Sequence, residues 1–164
     1  MDLLAFDAKE LYFEKEESPQ VQALIQNASQ LYGSGEAEMP LLKAYLRAPE
    51  SLSVLVALNR FYYYQHRLEE ALLVSEKALS VIAHELNFPT QWQEFNYIYI
   101  KAVPKKYLTQ VRLYLFALKS IGFLNMRLSN FEVSQEIFEK ILTVDEKDRI
   151  GAKALLHVLT TREQ

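Results

Sequence analysis

Apolar residues recur along this chain at spacings of three and four, the period of an amphipathic helix. From Leu68 to Leu86 one stripe takes in Leu68, Ala71, Leu72, Ser75, Ala78, Leu79, Ile82 and Leu86. A second runs through Val133, Ile137, Phe138, Ile141 and Val144. A third takes Ile150, Ala154, Leu155, Val158 and Leu159, with Asp148 placed to cap it. The alternation of a strand surfaces only around residues 95–99. There Trp92, Phe95, Tyr99 and Ala102 also fit a helical face, so the spacing predicts helix from 92 to about Val103. The chain reads as all-α.

The helical pattern repeats. Ala71, Ser75 and Ala78 align with Ala37, Leu41 and Ala44 at an offset of 34 residues, and Pro49 closes the earlier copy. Upstream, Val21, Leu24, Ile25 and Ala28 match Leu55, Leu58, Asn59 and Tyr62. A third copy runs through Leu118, Ile121, Gly122 and Asn125, then Ser134, Phe138, Ile141 and Glu146. Small residues such as Ala37, Ala71 and Ser134 let two helices approach closely, while Leu58, Tyr62, Ile121 and Phe138 fill the space between hairpins. One hairpin cannot bury its apolar face alone, so neighbours must share a core.

These residues and this period resemble the tetratricopeptide repeat, a 34-residue unit of two antiparallel helices. The resemblance covers units at 18–51, 52–85 and 115–148. It implies antiparallel hairpins stacked as a short right-handed superhelix in one domain spanning 1–164, with 149–164 as a capping helix. Three departures modify it. Pro40 would break the interior of a helix, so that helix is expected to start near Met39, after Gly33-Ser34-Gly35. Ala83 stands where the repeat favours proline. Residues 86–114 interrupt the array, and Pro104 suits the first turn of a long helix reaching Arg127. The N-terminal segment 1–17 mixes six acids with Leu3, Leu4, Phe6, Leu11, Tyr12 and Phe13, and reads as a helix covering the first hairpin.

Composition narrows the function. The chain has 164 residues, no cysteine, four glycines and five prolines, which suits one ordinary domain without disulfides or thiolate metal ligands. Net charge is −3; with no strong basic stripe, nucleic acid is not an expected partner. A modest basic stretch (Lys101, Lys105, Lys106, Arg112) lies mid-chain. No apolar run is long enough to span a bilayer, and the first residues lack the pattern of a signal peptide, so a cytoplasmic location without membrane insertion is expected. His66, His84 and His157 are scattered, and neither a metal-ligand motif nor a phosphate-cradling glycine loop occurs. Glu69-Glu70 and Glu16-Glu17 are adjacent pairs whose side chains diverge by about 100° on a helix. No enzyme activity and no cofactor are expected.

What remains is a binding surface. By the resemblance, first helices line the concave side, and their outward positions are Gln22, Gln26 and Gln30 in the first unit. Val56, Arg60, Tyr63 and Tyr64 follow in the second, and Lys119, Phe123 and Arg127 in the third. Such a groove suits a peptide carrying acidic and apolar groups. The lysine and asparagine clamp of chaperone-tail binders is missing, since the matching places hold Gln22, Gln26, Ala57, Phe116 and Ser120. The expectation is a non-enzymatic scaffold or adaptor for a protein or peptide partner. The alternatives are a self-associating protein, dimerising through aromatic-rich 92–107, and a small secretion-type chaperone for a client.

Overall fold

The computed structural model describes residues 16–162; the segment expected to cover the first hairpin therefore lies largely outside the described residues. The described chain is all-α, with eight α-helices and no strand among the described residues. It divides into two compact units, with the boundary between Ala78 and Leu79, inside the fourth helix.

The first unit begins with α1 (Pro19–Gln30), where Ser18 caps the helix by accepting the Val21 N–H and Pro19 occupies the first turn. After the glycine-containing turn, in which Gly35 takes φ +74°, α2 (Glu38–Arg47) packs on α1. It starts one residue before Met39, which leaves Pro40 in the first turn, where its missing N–H costs no internal bond. α3 (Leu52–Tyr64) is capped by Ser51. α4 (Leu68–Leu86) then folds back on it. There Asn59 Nδ2 donates to the Ala71 carbonyl at 3.0 Å and to Ser75 Oγ at 2.6 Å.

In the second unit, residues 92–103 are not one helix. A 3₁₀ turn (Trp92–Glu94) is followed by extended Phe95, and Asn96 then caps a short α5 (Tyr97–Ala102) by accepting the Ile98 N–H at 2.9 Å. The break has a packing cause. Phe95 is fully buried, its ring 4.9 Å from Phe88 and 4.8 Å from Tyr114, and a continuous helix would not aim it there. Pro104 precedes a 3₁₀ turn (Lys105–Tyr107) rather than opening the long helix, because the Tyr107 N–H bonds to the Pro104 carbonyl three residues back. α6 (Leu108–Arg127) follows, and α7 (Phe131–Val144) and α8 (Ala152–Thr161) pack after it.

The packing is compatible with a helical repeat. Ala28, Ala37, Leu41, Ala44, Leu55, Leu58, Ala71, Ser75, Ala78, Leu118, Ile121, Ser134, Phe138 and Ile141 are all buried. The α3–α4 and α6–α7 turns close the same way. His66 and Ser129 take φ 57° and 66°. Next to them, the Arg67 N–H returns to the Tyr62 carbonyl and the Asn130 N–H to the Asn125 carbonyl. Where α3 carries Asn59, α6 carries Gly122, and Ser134 Oγ donates to its carbonyl at 2.7 Å.

The last helix presents a different face from the one its spacing predicts. Ile150 is buried but precedes α8; within the helix Ala152 and Leu159 are buried, while Ala154 and Val158 are exposed. Asp148 contributes as expected by accepting the Lys153 N–H at 3.1 Å, although left-handed Gly151 occupies the cap position itself.

Candidate functional site

The residues expected to form a groove are distributed over both units. In the first, Gln22, Gln26 and Gln30 are exposed on α1, and Gln22 Nε2 donates to the Glu17 carbonyl at 3.0 Å. On α3, Arg60 and Tyr64 are exposed and Tyr63 is half-buried. The Arg60 guanidinium lies 5.7 Å from the Tyr64 ring centre, and Tyr63 meets Tyr64 edge to face at 5.4 Å. Val56 is buried rather than outward-facing, because the α3 positions on either side of it, Val54, Leu55 and Leu58, are core as well.

In the second unit, exposed Arg127 lies 5.9 Å from the ring of half-buried Phe123. Lys119 does not face outward as expected. It is 5% exposed, and its ammonium donates to the Ile150 carbonyl at 2.5 Å, at the entry to α8. Burial lowers its pKa, with Asp148 opposing. Lys119 thus ties α6 to the start of the last helix. A long side chain with a single charged tip can be buried this way when a carbonyl without a helical partner lies within reach.

Of the aromatic-rich 92–107 stretch, Phe95 is buried and Tyr99 half-buried, whereas Tyr97, Ile98 and Tyr107 are exposed. Lys101 and Lys106 stack on Tyr97 and Tyr107 at 5.2 and 4.9 Å.

A concavity not anticipated from the repeat lies within the first unit. This groove of about 230 Å³ is floored by Leu55, Leu58 and Tyr62 of α3 and walled by Leu42 and Tyr45 of α2 and by Glu70, Leu73, Val74 and Lys77 of α4. At one end Arg67 donates to Glu38 at 2.7 Å and to Glu70 at 2.8 Å, and Tyr62 donates to Glu38 at 3.1 Å. The bonds from Arg67 hold both carboxyls below their ordinary range. Burial, with the bond to Glu38, pushes the Tyr62 phenol up to about 12. The signal in the sequence was the spacing 70, 73, 74, 77, a second stripe on α4 beside the one that forms the core.

Among the described residues no three His, Asp or Glu side chains gather to hold a metal, and no helix is long and apolar enough to cross a membrane. The described chain is thus an all-α protein of packed helical hairpins. No family model and no solved structure matches it. It is 40% identical over 159 residues to an uncharacterized 19.8 kDa protein in the nifW 5′ region of Azotobacter chroococcum mcd 1, covering 97% of this chain and 89% of that protein. The chain belongs to the same family as that protein.

Proposed function

We propose that this protein is a non-enzymatic, tetratricopeptide-like interaction module of the cytoplasm that holds an acidic, apolar-bearing segment of a partner protein. The observation that carries this reading is the arginine–aromatic pair on the first helix of a hairpin in each unit, Arg60 with Tyr64 and Arg127 with Phe123. A guanidinium stacked on a ring joins a planar cation, the shape that pairs with carboxylates, to apolar contact area presented at low entropic cost. The hairpin repeat, with its small residues buried at matching places, supports the family resemblance.

The test is capture of partners on immobilised wild-type protein and on the Arg60→Glu, Arg127→Glu double variant, read by mass spectrometry. A partner held by wild type and lost by a variant of unchanged helicity and melting is the expected result. Equal recovery by both would sink the assignment of these helix faces. A second reading, self-association through 92–107, is favoured by the exposure of Tyr97 and Ile98, at 52% and 73%.

A further inference from the structure

We infer that the groove on the first unit is a self-association surface, occupied by the α4 helix of a second copy of this chain packed end for end about a twofold axis. The α4 wall of the groove consists of Glu70, Leu73, Val74 and Lys77. These stand at i, i+3, i+4 and i+7, one face of a helix, with the two charges about 10 Å apart along its axis. Leu73 and Val74 straddle the midpoint between the charges. Turning a second α4 end for end about that midpoint therefore lays Leu73 against Val74 twice and Glu70 against Lys77 twice. A twofold interface requires such a patch, in which residue i meets j while j meets i.

The rest of the surface agrees. Leu73 is 65% exposed at the centre of the stripe, and Met39 and Leu46, on the adjoining α2, are 59% and 79% exposed. Arg67 engages Glu70 through Oε1, and a carboxylate accepts more than one donor. A uniformly acidic or uniformly basic partner would meet a like charge at one end of the groove; a second copy meets the opposite charge at both ends. This inference is independent of the arginine–aromatic faces proposed above and of residues 92–107.

Sedimentation equilibrium of the full chain tests it. Wild type is expected to dimerise, and Leu73→Asp to be monomeric; Leu73 is exposed enough for that variant to fold, which circular dichroism checks. Glu70→Lys and Lys77→Glu alone each turn two attractions into two repulsions and should weaken the dimer by at least about tenfold. Mixed together, one variant carries lysine at both positions and the other glutamate, so the two should pair as a heterodimer. The double variant E70K/K77E should recover the homodimer. A monomeric wild type at the highest soluble concentration overturns the inference. So does a dimer that survives Leu73→Asp but is lost in Ile98→Asp, which moves the contact to 92–107. Single variants that are monomeric and stay so when mixed overturn the end-for-end register.

Discussion

Gly122 shows how one residue sets the distance between two helices. A Cβ added there would lie 2.7 Å from Cε1 of Phe138 and 2.9 Å from Cγ2 of Ile137, both on α7 and both fully buried. Alanine favours a helix over glycine by about 1 kcal/mol, but overpacking a tight core costs about 1–3 kcal/mol. Spreading the helices would also stretch the 2.7 Å bond from Ser134 to the Gly122 carbonyl, worth about 1 kcal/mol. Packing outweighs propensity, so Gly122→Ala is expected to destabilise the protein by roughly 1–2 kcal/mol, measured as a lower urea midpoint. The repeat alignment places Gly122 level with Ile25 and Asn59, two larger residues, so the alignment alone does not reveal the close approach. Lys119, three residues earlier, was misread as outward because helical spacing says which side of a helix a residue occupies, not whether another segment covers that side. Here the chain entering α8 covers it, and a carbonyl offered by residue 150 is not legible in any local pattern.

At the scale of elements, the hairpins of α3–α4 and α6–α7 were readable because their cores repeat at matching positions and their turns are short. Residues 92–103 were not. The helical spacing of Trp92, Phe95 and Tyr99 is genuine, but Phe95 finds its burial between Phe88 and Tyr114, and Asn96 restarts the helix behind it. The Asn96 cap was the available local signal, overridden by apolar periodicity. The α4 groove is hidden for a related reason: its half-exposed stripe at 70, 73, 74 and 77 runs beside a more strongly apolar, buried one. The turns themselves hold a testable cost. Ser129 and His66 occupy left-handed backbone at φ 66° and 57°, a conformation glycine adopts without a Cβ penalty. Ser129→Gly and His66→Gly should each raise stability by about 0.5–1 kcal/mol. The urea midpoint should move while the slope of the transition stays constant; a drop in either midpoint would mean the side chain is needed at the turn.

For the whole molecule, buried ionisable groups in both units shape the stability curve on its alkaline side. Tyr62 in the first unit has its phenol raised from 10.0 to about 12, by burial first and the bond to Glu38 second. Tyr114 in the second is fully buried among Phe88 and Phe95, and burial raises its pKa well above 10.0. Its hydroxyl has no hydrogen-bond partner among the described residues. Both groups keep their protons in the folded state at pH values where the unfolded chain has lost them. The stability they contribute is complete below the ordinary value of 10.0 and is lost as pH climbs through the folded values. Lys119 acts oppositely: its folded pKa lies below 10.5, so the unfolded chain holds the extra proton and stability rises with pH up to that value. The two effects overlap near pH 10 and only the tyrosines continue beyond it, so the loss prevails. Tyr114→Phe separates them. Removing a buried hydroxyl that bonds to none of the described residues, while keeping the ring contacts, should raise stability by about 1–2 kcal/mol at neutral pH. The variant should also lose less on moving from about pH 9 to about pH 11, because one of the two tyrosine contributions is gone. Thermal melts of both proteins across that range would show the gap between their Tm values widening with pH. A gap that stays constant would mean that the Tyr114 hydroxyl reaches solvent and titrates as an ordinary phenol.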